Sequence, residues 1–155
     1  MLELKGKKAI ITGGAKGIGY GITKNLANLG ADIIITGIDA DIEAGKEREK
    51  EFAEKGQTVK FFKADGSKSD EVKSLVDFTM KEFGKIDILI NNAGITRDNL
   101  LMKMKEQDWD AVLTVNLKSV FNLCKAVIRP MMKAKGGKIV NISSVVGVKI
   151  GRAHV

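Results

Sequence analysis

The sequence is short of the residues that mark several protein classes. A single cysteine, Cys124, in 155 residues leaves no internal disulfide framework and no paired thiolate ligands for a metal, in keeping with a reducing compartment. Cys124 lies in an amphipathic stretch, where it is expected as a small buried hydrophobe and not as a nucleophile. The only histidine is His154, so no thiol–imidazole pair is set up around it. One tryptophan and one tyrosine offer little for stacking on bases. The excess of 26 basic over 19 acidic side chains, a net charge of +7, therefore reads as a solvated surface with its lysines interspersed among acids, not as a nucleic-acid interface. Residues 1–8 mix charge with apolar groups and lack the apolar run of a secretion signal, and no later stretch approaches the length of a membrane span, so a cytoplasmic location is expected.

What is present is ordinary globular material, 44% hydrophobic and 29% charged, of a length suited to one domain. The run KAIIT at 8–12 is apolar, β-branched and stopped by Gly13-Gly14, as a buried strand should be. Ile18, Ile22, Leu26 and Leu29 then recur at helical spacing until Gly30. Strand two is expected at 33–36, a charged helix at 42–55 closed by Gly56, and strand three at 58–62. Ser69 is expected as the N-cap of a helix whose apolar face is Val72, Leu75, Val76, Met80 and Phe83, with Gly84 ending it. Strand four is expected at 86–90. A helical pattern follows over 106–135 with Trp109, Val112, Leu113, Leu117, Val120, Phe121 and Cys124 as a long buried face, kinked or broken at Pro130 and closed by Gly136-Gly137. Strand five is expected at 138–142. Largely apolar strands alternating with helices specify an α/β fold, a doubly wound parallel sheet covered on both faces.

The chemistry concentrates where strands end. Thr12-Gly13-Gly14-Ala15-Lys16-Gly17-Ile18-Gly19 occupies the turn from the first strand into the first helix, where backbone N–H groups and the helix N-terminus suit a pyrophosphate. Gly13 permits the sharp turn, Gly17 the close approach of a ligand, and Gly19 the close packing of helix on strand.

This TGxxxGxG spacing resembles the short-chain dehydrogenase/reductase family. Asn91-Asn92-Ala93-Gly94 at the end of strand four, Asn116 within VNLKSVF and Ser144 within NISSVVG match that family's further motifs in order. Within the family, GITRDNLLMKMKEQDW and SVVG are similar to segments of the 3-oxoacyl-acyl-carrier-protein reductases, and the resemblance runs from Leu4 to about Val148. It implies a Rossmann-type sheet with about five of the family's seven strands, and a dinucleotide-binding domain over residues 1–148. It also implies NADPH-dependent reduction of a 3-oxoacyl thioester. Gly13, Gly14, Ala15, Lys16, Gly17, Ile18 and Gly19 would hold the cofactor, Asp65 and Gly66 its adenine, and Asn92, Ala93 and Gly94 its ribose and nicotinamide side. Lys16 stands where NADP-dependent relatives set a basic residue against the 2′-phosphate, which favours NADP over NAD. The second specificity position, Gly37-Ile38-Asp39, has neither a strand-ending acid nor an arginine, and an aspartate there either repels the phosphate or faces solvent. Ser144 would bond the substrate carbonyl oxygen, and Asn116 would position a proton-relaying water. Lys133 and Lys135 would meet an acidic carrier protein, and relatives assemble as tetramers through the long helix.

Two features depart from the family. Its catalytic Tyr-x-x-x-Lys pair has no counterpart beyond Ser144, and the only tyrosine, Tyr20, falls in the first helix. Residues 149–155, KIGRAHV, match the translation of a common sequencing-adapter oligonucleotide and are expected to be a non-native tail. The chain as given is therefore expected to be inactive, with strand five an unpaired edge prone to aggregation. Two alternatives stand beside this reading: the same fold acting on a steroid, sugar or other alcohol, or a nucleotide-binding module without catalysis.

Overall fold

The structure, a computed structural model, describes residues 3–144; the tail at 149–155 and the VVG of SVVG lie outside them. Among the described residues one parallel sheet runs through β1 (Lys8–Thr12), β2 (Asp32–Gly37), β3 (Val59–Lys63), β4 (Ile88–Asn91) and β5 (Lys138–Asn141), in the order β3-β2-β1-β4-β5. The helices are α1 (Gly17–Asn28), α2 (Ile42–Glu54), α3 (Ser69–Phe83), α4 (Glu106–Leu113) and α5 (Ser119–Lys133). This is the expected doubly wound α/β architecture of Rossmann type.

Alternation along the strands divides the core into two layers. Ile10 and Ile34 face α3 and α5 and pack with Val72, Leu75, Leu89, Leu123 and Val127. Their neighbours Ala9, Ile11, Ile33 and Ile35 face the opposite way, with Phe52 and Ile90, under α1 and α2. All of these are fully or almost fully buried, and each large side chain so removed from water contributes about 1.5–3 kcal/mol. The strand order reverses between β1 and its two neighbours, β2 and β4. A crevice therefore opens at the carboxyl ends of β1 and β4.

Several expectations need correction. Ser69 is the first residue of α3 and not its N-cap; Lys68 holds that position with extended backbone and no side-chain cap, while the acidic side chains of Asp70 and Glu71 serve the helix dipole. Pro130 does not break α5, which continues to Lys133 with Ala134 N–H bonded to the Pro130 carbonyl at 3.0 Å. Val127 and Met131 are buried on either side of it and hold the segment against the sheet, so packing overrides the lost hydrogen bond. The residue that turns the chain after α5 is Lys135, at φ 55°, ahead of Gly136.

The irregularity lies earlier, in a π-helical turn at Thr114–Lys118 between α4 and α5. One extra residue rotates the helix phase by about 100°, so a stripe read at constant period loses the core. Trp109, Leu113, Leu117 and Phe121, expected in the interior, are exposed. The buried positions of α5 are Ser119, Asn122, Leu123, Val127 and Met131, with Cys124 half-buried at their margin. The helical run Glu106–Lys133 is also long and apolar enough to cross a membrane by length and composition, contrary to the expectation that no stretch would be. Here its α5 part packs one face, through Leu123, Val127 and Met131, into a core layer against the sheet. Strand β5, as expected, is exposed along its length and among the described residues pairs with β4 alone.

Candidate functional site

The turn after β1 is stapled to the loop after β4. Thr12, buried at the end of an otherwise apolar strand, accepts the N–H groups of Asn92 and Ala93 on its hydroxyl, both at 2.9 Å. The Asn92 amide returns a bond to the Thr12 carbonyl at 2.9 Å. Gly13 N–H reaches across to the Thr36 carbonyl of β2 at 2.7 Å. Gly13 and Gly17 stand at φ 65° and 53°, in the left-handed region open to glycine, and nothing lies within 4 Å of the position a Cβ on Gly17 would take. The turn is thus fixed from behind and open in front, with the amino end of α1 pointing into the opening.

That opening is a cleft of about 360 Å³ at the carboxyl edge of the sheet. Gly13, Lys16, Gly17, Ile38, Asp65, Gly66, Asn92, Ala93 and Gly94 line it, as the sequence reading grouped them. Gly14, Ala15, Ile18 and Gly19 do not. A Cβ on Gly14 would stand 2.5 Å from the side chain of Ile35, so this glycine lets α1 settle on β2. Gly19 meets the Gly13 carbonyl and the Asn92 amide, packing against the turn more than the strand. Ile18 points outward, and Ala15 is buried.

On the β3 side of the cleft, the loop after β3 is tied together by its own side chains. Asp65 accepts from Ser67 N–H at 2.9 Å and from the Ser67 hydroxyl at 2.7 Å, while its own N–H donates to Glu71 at 2.8 Å. That bond from Asp65 N–H, with Lys68 at 3.0 Å, keeps the Glu71 carboxyl below the usual carboxylate range. The Asn122 amide ties α5 to the Gly66 carbonyl at 3.0 Å. Lys16 reaches the loop after β2, its ammonium 3.0 Å from Asp41 and 3.2 Å from the Ala40 carbonyl. Asp39 is paired with Lys63 at 2.7 Å and faces solvent.

Asn116 sits in the π-helical turn, where both ends of its amide are taken by one residue. Its oxygen accepts Ile95 N–H at 2.8 Å, and its nitrogen donates to the Ile95 carbonyl at 2.9 Å. The side chain therefore fixes the loop after β4 beside Gly94. Ser144 follows β5, two residues beyond Ile142, whose N–H bonds the Asn91 carbonyl at 2.9 Å, and so leaves the sheet at the same carboxyl edge. Tyr20 is far from this chemistry in role: its hydroxyl donates to Glu51 on α2 at 2.8 Å, and Arg48 lies over its ring. The Lys55 ammonium, followed by that hydroxyl, holds the Glu51 carboxyl below its ordinary value.

Sequence reasoning missed Thr12 as the staple and Asp41 as the partner of Lys16. A hydroxyl ending a β-branched strand was one available signal. An acid three residues after Ile38, where it can accept that residue's N–H, was the other. Asn91, read from the sequence only as part of the NNAG motif, donates to Asn141 at 2.8 Å across the β4–β5 pair, and its buried side-chain amide oxygen accepts no hydrogen bond among the described residues.

A sequence model of the short chain dehydrogenase family matches residues 7–155. The 3-oxoacyl-[acyl-carrier-protein] reductase of Chlamydia muridarum is 50% identical over 147 residues, covering 94% of this chain and 58% of that protein. The enzyme of the same name from Escherichia coli K12 is 42% identical over 146 residues, with the same coverage of 94% and 58%. The chain thus spans a little under six-tenths of the length of these relatives. Among solved structures, a metagenomic short-chain oxidoreductase in complex with NADP superposes with a TM-score of 0.89 at 34% identity, covering 97% of this chain and 67% of that one.

Proposed function

The chain belongs to the short-chain dehydrogenase family, and on that premise we propose that it carries the cofactor half of an NADPH-dependent reductase of 3-oxoacyl thioesters. The observation that carries this reading is the cleft itself, in which a glycine turn at a helix N-terminus is locked by Thr12 to the loop at 92–94. The residues fit a dinucleotide: open backbone at Gly17 for the pyrophosphate, a rigid Asp65-Gly66 loop for the adenine, and Ala93-Gly94 for the nicotinamide side. Lys16 favours the 2′-phosphate of NADP over NAD. When bound, NADPH supplies the hydride.

Ser144 donates a hydrogen bond to the substrate carbonyl, stabilising charge that develops on its oxygen. Asn116 holds Ile95 and, through it, the loop that faces the nicotinamide; a relay water is left to the backbone around Asn116, since its amide is engaged. Tyr20, bound to Glu51, does not protonate the alkoxide. Residues 1–155 alone therefore bind cofactor without reducing ketone, and the activity belongs to the full-length enzyme. In that enzyme Lys133 and Lys135, exposed at the end of α5, meet the acidic carrier protein. The exposed apolar side of the run Glu106–Lys133 serves assembly into a tetramer in the cytoplasm.

The purified chain titrated with NADPH, and then mixed with a 3-oxoacyl thioester, tests both parts. Binding without consumption of NADPH is expected. Absence of binding by folded protein would remove the reading, and turnover would remove the assignment of Tyr20. The specific observation favouring a non-catalytic nucleotide-binding module is that the cleft is formed within residues 3–144 while the one tyrosine is held elsewhere. Native coding sequence recovered past Val148 and leading to a Tyr-x-x-x-Lys would exclude that second reading.

A further inference from the structure

Two aspartates follow β2, and only one of them belongs to the cleft. Asp39 is 79% exposed and paired with Lys63, whereas Asp41 lines the cleft together with Lys16, Gly37 and Ile38. Three contacts fix Asp41. One carboxylate oxygen accepts Ile38 N–H at 3.1 Å, the other lies 3.0 Å from the Lys16 ammonium, and its Cβ occupies space that any side chain on residue 37 would need, 2.7 Å from where a Gly37 Cβ would stand. The Ala40 carbonyl is a second acceptor for Lys16 at 3.2 Å. Two of the three N–H donors of the ammonium are thus already engaged by the protein.

A phosphate on the adenosine ribose needs that same ammonium, and it brings about two negative charges beside a carboxylate already in place. A ribose with free hydroxyls needs neither and meets no repulsion. We propose that Asp41 sets the cofactor preference of this site by holding Lys16, so that the site favours NADPH over NADH less strongly than its lysine alone would. The inference rests on the dinucleotide reading above and names the residue that limits its selectivity. Asp41 is a positioning residue that acts through Lys16.

The test is the ratio of dissociation constants for NADH and NADPH, measured by titrating the 155-residue chain, with far-ultraviolet dichroism recorded for each variant. A merely structural effect weakens both cofactors and leaves the ratio alone. Asp41→Asn keeps an oxygen for Ile38 N–H and removes the charge, and is expected to raise the preference for NADPH about tenfold. Asp41→Ser, which also caps that N–H, gives the same direction should the first variant fold poorly. Asp39→Asn is expected to leave the ratio within about twofold, its charge being exposed and neutralised by Lys63. In a Lys16→Met background the gain from Asp41→Asn should fall below about threefold, because the two residues act as one pair. An unchanged or lowered ratio in the Asp41 variants, with both cofactors still bound, overturns the assignment and leaves the dinucleotide reading intact. Failure of the folded wild-type chain to bind either cofactor overturns both.

Discussion

Two glycines of α1, two residues apart, are expected to answer the same substitution with opposite signs. A Cβ on Gly19 would lie 2.5 Å from the Asn92 amide nitrogen and 2.8 Å from the Gly13 carbonyl carbon, closer still to its oxygen. Comfortable separations begin at about 3.5 Å, so helix and turn must part by roughly 1 Å. Overpacking of this kind costs about 1–3 kcal/mol. The added methyl also presses on the amide that donates to the Thr12 carbonyl at 2.9 Å, and a weakened buried bond adds about 1 kcal/mol. Gly19→Ala should therefore lose about 2–4 kcal/mol, a fall in Tm of roughly 6–12 °C for a chain of this size. Gly21 lies inside the same helix with nothing within 4 Å of such a Cβ. There alanine removes the entropic penalty of glycine and should add about 0.8–1 kcal/mol, raising Tm by roughly 2–4 °C. Thermal and urea unfolding followed by circular dichroism measure both. If Gly19→Ala is as stable as the parent, or Gly21→Ala falls with it, the close docking of α1 on the turn is refuted.

Thr12→Val keeps the shape of the strand end but leaves the N–H groups of Asn92 and Ala93 without their acceptor; a loss of about 2–4 kcal/mol in urea unfolding is expected, and a loss under half of that minimum would contradict the staple. The Asp87 carboxyl is raised by burial, but Lys85 and the N–H of Lys8 outweigh this and hold it below its ordinary value of 3.8. Over the window beneath that value the unfolded chain binds more protons, so the stability Asp87 confers is complete above it and lost as pH falls through the lower folded value. Asp87→Asn should lower Tm at neutral pH and flatten its decline on the acid side, and a Tm–pH curve parallel to that of the parent would argue against it. Gly17→Ala has room for its methyl but not for its φ of 53°, so it should cost about 1 kcal/mol of stability while abolishing measurable NADPH binding.

The fold was legible because its signals are local and agree with one another. Each strand is a short run rich in β-branched or aromatic residues and closed by turn residues, and Gly30, Gly56 and Gly84, all at positive φ, stand where helices were expected to stop. The long helix was misread because its information is not local. Periodicity places Trp109, Leu113, Leu117 and Phe121 on an apolar stripe correctly, but the π-helical turn at Thr114–Lys118 shifts phase, and tertiary contact decides which stripe the sheet covers. Pro130 makes the same point from the other side, since a residue that ends isolated helices is retained by the burial of Val127 and Met131 around it.

Motifs located the candidate site more accurately than they divided its labour. TGGAKGIG and NNAG lie together as expected, yet within them some residues face the cleft and others hold the cleft-facing ones in place. Gly14, Gly19 and the Asn92 amide are of the second kind, and sequence spacing does not separate the two, because both demand small or polar residues at a strand end. Asp41 stayed invisible for a related reason. Its place in the sequence marks it as a turn residue, which it is, through Ile38 N–H. Only the fold brings it across to Lys16, twenty-five positions away, and turns a local cap into a charge partner of the residue expected to choose the cofactor. A carboxylate that caps one loop and restrains a cation on another couples the shape of the site to its selectivity, which is why Asp41 should govern preference without touching the reacting atoms.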